Sequence, residues 1–266
     1  MTADRVSSFQ NPRIKSAVRL RDRRDRDRTG KFLIEGYREL LRASEAGLPL
    51  ETLFICPELF LGSNEPALIA AFSKSEAQIL RCPEPLFRKI SYRDRPDGLV
   101  AIAPKPDGRL RELPEGDGGL FVVAEAVEKP GNLGTILRSC DAAGASGLIV
   151  CDRCTDLYNP NVVRASVGTL FTVPAVEASS EETLCFLKER GVSILAATPS
   201  AERLYTEAEM RGPVAIAVGT EQLGLSEKWM EAADIRVRIP MLGKADSLNV
   251  ATATTLLLYE ALRQRS

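Results

Sequence analysis

A chain of 266 residues, 44% hydrophobic and only 6% aromatic, can bury the core of one large domain or two modest ones and has the composition of an ordinary soluble α/β protein. No run approaches the ~18 apolar residues of a membrane span and no secretory apolar segment opens the chain, so a cytoplasmic, reducing location without membrane attachment is expected. The chain has no histidine, which excludes any triad or relay built on imidazole. The six scattered cysteines offer one lone CxxC (Cys151, Cys154), so no metal is expected.

The net charge of −1 hides an asymmetry. Residues 1–28 carry nine Lys/Arg against four Asp, leaving the remainder of the chain at about −6. Residues 1–30 are therefore expected to form a basic N-terminal arm or helix able to touch phosphates. The alternating RDRRDRDR pattern equally describes a solvated helix stitched by opposite charges. From Lys31, KFLIEG reads as a strand, YRELLRASEAG as an amphipathic helix stopped by Gly47, and LETLFICP as a strand ended by proline. The same alternation continues more faintly to LVAIAPKP, which makes 31–105 a small α/β domain. The Pro-, Gly- and charge-rich stretch 106–119 reads as a linker with little to bury.

From Leu120 the alternation becomes emphatic. FVVAEAV, GLIVC, TVPAVEA, VSILAAT, PVAIAVG and IRVRIP are strand candidates, separated by helices such as LGTILRSCDAAG and EETLCFLKERG and followed by a long C-terminal helix from Ser247. Continuous apolar strands between helices predict a parallel sheet covered on both faces over 120–266. Ligands of such sheets bind at the carboxyl ends of the strands, so three loops draw attention: EKPGNLGTILRS (128–139), GTEQLGLSEKW (219–229) and IPMLGKADSLNVATAT (239–254).

The first loop has neither GxGxxG nor GK[ST], so a phosphate cradle has no basis, and a nicotinamide dehydrogenase reading lacks its glycine fingerprint. In a helix starting near Gly131, Arg138 lies seven residues in, back on the same face after about two turns, and its guanidinium can project along the face that Asn132 opens. Alternatively, Asn132 caps the helix and Arg138 reaches into water. Glu221 stands just beyond an apolar strand, where a carboxylate needs donors unless the turn is exposed. Asp246 or Ser247 is placed to cap the last helix, whose apolar character asks for burial inside the fold or against another subunit.

In this order, NxGxxxR, GxE followed by GLS, and IPM with SLN resemble the signature motifs of the SpoU/TrmH branch of the SPOUT RNA 2′-O-ribose methyltransferases. NPRIKSAVRLRDRRDRDRTGKFLIEG, DGLVAIAPKP and YNPNVVRASVGTLFTVPAV are similar to the ribosomal RNA subgroup. Two departures stand out: Gly219-Thr220-Glu221-Gln222 where members often have Gly-Asn-Glu-Gly, and Glu128-Lys129 leading into the first motif.

The resemblance implies an α/β protein whose C-terminal parallel-sheet SPOUT domain holds a trefoil knot, preceded by a small α/β RNA-binding domain. It implies S-adenosylmethionine-dependent methylation of a ribose 2′-hydroxyl in RNA, most naturally 23S-type ribosomal RNA, by a homodimer paired through the knotted domain. The alternatives are a catalytically inactive RNA-binding or ribosome-assembly protein on the same scaffold and a tRNA ribose methyltransferase. The implied catalytic set is Arg138, Asn132, Glu221, Ser247 and Asn249. Gly219, Ile239 and Leu248 would hold the cofactor, with Thr198 and Met241 nearby, and Arg13, Lys15, Arg19, Arg93 and Arg164 would face RNA. The family credits the counterpart of Arg138 with proton removal. Because a free guanidinium stays protonated, electrostatic stabilisation of the developing alkoxide is the second possibility.

Overall fold

The computed structural model describes residues 4–74, 76–114 and 119–266. In chain order the first elements are β1 (Asp4–Arg5), α1 (Pro12–Arg19), α2 (Arg23–Thr29), β2 (Lys31–Glu35), α3 (Tyr37–Glu45), β3 (Thr52–Ile55), α4 (Glu65–Phe72), β4 (Gln78–Arg81), α5 (Glu84–Ile90) and β5 (Leu99–Pro104). Next come β6 (Leu120–Glu125), α6 (Pro130–Ala143), β7 (Gly147–Cys151), α7 (Pro160–Ser166), β8 (Ala175–Ala178) and α8 (Ser180–Glu189). The chain ends with β9 (Ser193–Ala197), β10 (Val214–Val218), α9 (Glu227–Ala232), β11 (Ile235–Val237) and α10 (Val250–Arg265). Two compact units result, 1–106 with 158–172, and 107–157 with 173–266.

The first unit is built on a five-stranded mixed sheet in the order β1-β4-β3-β5-β2. Leu33, Phe54, Leu80, Phe87 and Val100 fill its core. Its basic N-terminus is helical. In α2, Arg23 pairs with Asp27 and Arg28 with Asp25, three and four residues apart, as a charge-stitched surface helix does. Arg26 is the exception: 1% exposed, it turns inward and donates to the carbonyls of Leu20 (3.0 Å) and Arg21 (2.7 Å). Segment 158–172 belongs to this unit although it lies within 120–266. The ring of Phe32 meets those of Tyr158 (centroids 4.8 Å apart) and Phe171 (6.1 Å), and α7 packs on β2. Aromatic burial outweighs chain order here.

The second unit holds a six-stranded sheet, all parallel, in the order β11-β9-β10-β6-β7-β8. Every residue of β6, β7 and β10 is buried, as expected of strands covered on both faces. The single tryptophan, Trp229, is fully buried and its indole N–H donates to Ser180 Oγ at 2.8 Å, which ties α9 to the start of α8. Stretch 106–119 is more than a spacer. Leu113 is buried against Phe121 and Val176, and Arg190 donates to the Leu113 carbonyl at 3.0 Å. Residues 115–118 of that stretch, like residues 1–3 of the arm, lie outside the described residues. Among the described residues no helix is long and apolar enough to cross a membrane, and no cluster of His, Cys, Asp or Glu could hold a metal ion.

Candidate active site

The sheet order reverses between β6 and β10, and in a parallel sheet this is where a crevice opens beyond the strand ends. The loops that leave β6, β10 and β11 carry the three motifs, and the loop that leaves β9 carries Thr198.

The β10 loop owes its shape to its glycines. Thr220 and Gly224 exchange backbone hydrogen bonds of 3.0 and 3.1 Å, closing a tight turn in which Gly224 has φ +73°. A Cβ on Gly219 would sit 2.1 Å from the Gly224 carbonyl oxygen, so no other residue fits there. Gln222 lies exposed at the tip without a left-handed backbone, and this departure from the family pattern leaves the turn unstrained. Buried Glu125, at the end of β6, accepts the Ser226 N–H at 2.8 Å and fixes the far end of the loop.

This turn holds Glu221 against the first motif, which in turn meets the third. Its Oε1 accepts from Asn132 Nδ2 at 2.6 Å, and its Oε2 accepts from the Glu128 N–H at 3.4 Å. Asn132 Oδ1 in turn accepts from Asn249 Nδ2 at 3.0 Å. Asn249 Oδ1 accepts the N–H groups of Ala251 (3.0 Å) and Thr252 (3.4 Å). Asn249, and not Asp246 or Ser247, therefore caps α10, because its side chain is the one that reaches the orphan amides of the first turn. Asn132 caps nothing: α6 begins at Pro130, and the asparagine spends its amide on the two partner loops.

Behind this chain of side chains is a cavity of about 680 Å³. Thr198, Gly219, Ile239, Met241 and Leu248 all line it, together with Glu221, Ser247 and Asn249. Asn132 stands one hydrogen bond outside the wall. Lys129 also lines the cavity, as do Val250, Ala253 and Leu257 on the inner side of α10. Sequence reasoning passed over these four, although Lys129 lies in the first motif, Val250 and Ala253 in the third, and Leu257 follows at helical spacing.

Arg138 is not brought in. It is exposed on α6, two turns past Asn132, and does not line the cavity. Gly131, Thr135 and Arg138 form an exposed stripe on α6; Thr252, Leu256 and Tyr259 form another on α10. The two helices pack together, with Ser139 Oγ and Thr255 Oγ1 2.7 Å apart. The nearby cysteines offer no nucleophile, since burial pushes the Cys140 and Cys151 thiols up to about 12.

The basic residues expected at RNA divide into separate places in the first unit. Lys15 and Arg19 are exposed around a small cavity of about 240 Å³. Arg13 donates to Thr52 Oγ1 at 3.0 Å. Arg93 is half-buried and paired with Glu39 at 2.6 Å, and with exposed Arg164 it lines a larger cavity.

Residues 119–259 match the SpoU rRNA Methylase family. The chain belongs to that family. Residues 11–101 match the MRM3-like substrate binding domain. The 23S rRNA (uridine(2479)-2′-O)-methyltransferase of Streptomyces viridochromogenes is 35% identical over 92% of this chain and 87% of its own length. A crystal structure of an RNA 2′-O ribose methyltransferase is 46% identical, with a TM-score of 0.82 over 98% of this chain and 99% of that one. The AdoMet-bound rRNA methyltransferase of Sinorhizobium meliloti is 32% identical, with a TM-score of 0.90 over 98% of both chains.

Proposed function

We propose that this SpoU-family chain transfers methyl from S-adenosylmethionine to a ribose 2′-hydroxyl of ribosomal RNA. The observation that carries the reading is the convergence of Asn132, Glu221 and Asn249, one from each motif, at a cavity lined by all five residues expected at the cofactor. The cavity fits that cofactor by size and chemistry. At about 680 Å³ it lies in the range of small-molecule sites, and apolar Ile239, Met241, Leu248 and Leu257 offer packing for an adenine while loop backbone offers polar partners. Relatives whose names specify 2′-O-methylation and an AdoMet-bound neighbour support the same reading.

S-adenosylmethionine, when bound, supplies an electrophilic methyl on a good leaving group. The protein's part is to align the sugar oxygen and to stabilise the charge it develops. Asn132 and Asn249 hold the Glu221 carboxylate and the start of α10 in one orientation, and Ser247 stands exposed on the cavity wall to meet the ribose. In this reading Arg138 acts as a charge at the sugar oxygen, and the proton leaves through RNA phosphate or water. Because Arg138 lies outside the cavity wall of its own chain, the reading includes a homodimer paired along α6 and α10, where Leu256 and Tyr259 are 37% and 48% exposed. It also includes the family's knotted C-terminal domain, a cytoplasmic setting suited to the six free thiols, and RNA binding through residues 31–105 with the basic 1–30 segment. Arg13, Lys15, Arg19 and Arg164 are the proposed phosphate contacts.

Incubation of the full-length protein with labelled S-adenosylmethionine and ribosomal RNA, followed by mapping of 2′-O-methyl positions, tests the reading. Label at a ribose is expected, and a protein that binds the cofactor and RNA yet transfers nothing would indicate a binding protein on the same scaffold.

A further inference from the structure

Methyl transfer as derived above leaves two charged residues on the wall of the strand-end cavity without a task. Three charged residues line it, Lys129, Glu221 and Asp246, and among the described residues of that wall Lys129 is the one cation. Glu221 is already committed, since its two carboxylate oxygens accept from Asn132 Nδ2 at 2.6 Å and from the Glu128 N–H at 3.4 Å. Lys129 and Asp246 are exposed at the mouth of the cavity. Their side chains have no hydrogen bond or ion pair among the described residues, including with each other.

The backbone beneath Lys129 is held on both sides. The Glu128 N–H is bonded to Glu221, the Glu128 carbonyl accepts from Thr155 Oγ1, and the Lys129 carbonyl accepts the N–H groups of Asn132 (3.0 Å) and Leu133 (3.2 Å) at the start of α6. Pro130 follows as the first helical residue, with its backbone angle set by its ring. The lysine is therefore rooted at a fixed point of the cavity, and only its flexible stem is left for a ligand to order. It belongs to the Glu128-Lys129 step at which this sequence departs from the family's usual lead into the first motif. Asp246 stands three residues ahead of Asn249, whose bonds to the Ala251 and Thr252 amides fix the start of α10.

An unpaired cation and an unpaired anion on one wall suit a ligand group that carries both signs. S-adenosylmethionine has one such group, its α-amino acid end, whose carboxylate is the only anion of the molecule. Without Lys129 that carboxylate would face two acidic residues and no counter-charge. We infer that Lys129 and Asp246 hold this end of the cofactor, the α-carboxylate on the Lys129 ammonium and the α-ammonium on the Asp246 carboxylate. The inference rests on the methyltransferase reading and adds to it the two residues that select an intact amino acid end over fragments of the cofactor. An RNA phosphate is the competing occupant of Lys129. It is disfavoured because Glu221 and Asp246 on the same wall oppose a polyanion, whereas they accept a zwitterion.

The test is titration calorimetry of the full-length protein with three probes. S-adenosylhomocysteine keeps the whole amino acid end, decarboxylated S-adenosylmethionine keeps the ammonium alone, and methylthioadenosine has neither charge. Lys129→Met should weaken S-adenosylhomocysteine about fivefold, the scale of an ion pair in contact with water, and leave the other two probes unchanged. Lys129→Arg should stay close to wild type. Asp246→Asn should weaken S-adenosylhomocysteine and the decarboxylated probe by a similar factor and spare methylthioadenosine. An unchanged methylthioadenosine affinity also shows that each variant folds and keeps its adenosine site. Because the zwitterionic end meets one charge of each sign and releases no condensed counterions, wild-type affinity for S-adenosylhomocysteine should change by about twofold at most between roughly 50 and 200 mM salt. A Lys129→Met variant that binds S-adenosylhomocysteine as the wild type does, or that weakens all three probes alike, would overturn the inference; a loss of RNA affinity in its place would give the lysine to a phosphate. A wild type that binds none of the probes strikes the cofactor reading itself, whereas binding without these selective losses strikes only the roles of Lys129 and Asp246.

Discussion

Two cavities among the described residues, one in each unit, are made from different materials. The one at the strand ends of the second unit is shaped by loop backbone, a glycine turn and apolar side chains, with a small number of polar groups locked to one another. The one in the first unit is walled by long charged side chains around buried carboxylates. Backbone geometry is what a fixed small molecule needs, because the position of every polar group is set before the ligand arrives. Flexible arginines are what a polyanion needs, because its phosphates vary in place and its binding follows salt. Affinity for cofactor should accordingly be insensitive to ionic strength, and affinity for RNA should fall steeply with it.

Substitutions can break that contrast from either side. The largest effect is expected from Arg138→Ala: labelled methyl transfer should drop by about 100-fold or more, the scale of losing one charge-stabilising donor, while calorimetry finds cofactor affinity within about twofold of wild type. Gly219→Ala forces a methyl group into the Gly224 carbonyl and should cost about 1–3 kcal/mol in urea denaturation, with at least a tenfold loss of cofactor affinity. Asn132→Ala removes the donor at 2.6 Å from Glu221 and the acceptor for Asn249, a loss of about 1–3 kcal/mol that should appear in stability and in kcat together. Tyr259→Glu places a charge on the exposed α10 stripe. In the proposed homodimer, sedimentation should then report half the wild-type mass, with transfer lost and the chain still folded.

The smallest effect belongs to the first unit. Burial raises the pKa of Glu35, opposed by hydrogen bonds from Ser91 and the Tyr92 N–H and by the nearby Arg93 charge. A raised carboxyl contributes stability below its unfolded pKa and loses it as pH rises through the folded value. Glu35→Gln should therefore cost more stability near pH 4.5 than near pH 8, as measured by denaturant midpoints at both. The opposite trend would mean that the Arg93 charge outweighs burial.

Much of the site was legible in the sequence because its parts are local. Asn132, Gly219, Glu221 and Asn249 sit in turn-rich segments directly after apolar strands, and a parallel sheet must gather such segments at one end. The capping of α10 was less legible. Asp246, Ser247 and Asn249 are all competent caps, and the choice fell to the residue whose side chain also had to meet Asn132. Arg138 shows the limit of periodicity. It lies six residues past Asn132 on the same helix, yet an offset says nothing about which side chain turns to the cavity and which to the outside.

Sequence by itself determined the alternating elements, the parallel sheet and the three polar loops, since apolar period, proline and glycine act over a few residues at a time. Only the tertiary structure decided that residues 158–172 join the first unit, that Arg26 turns inward, and that Glu65 and Asp97 share a cavity with four arginines. Those outcomes depend on burial between groups far apart in the chain, where aromatic packing and the need to satisfy buried charge outweigh any local preference.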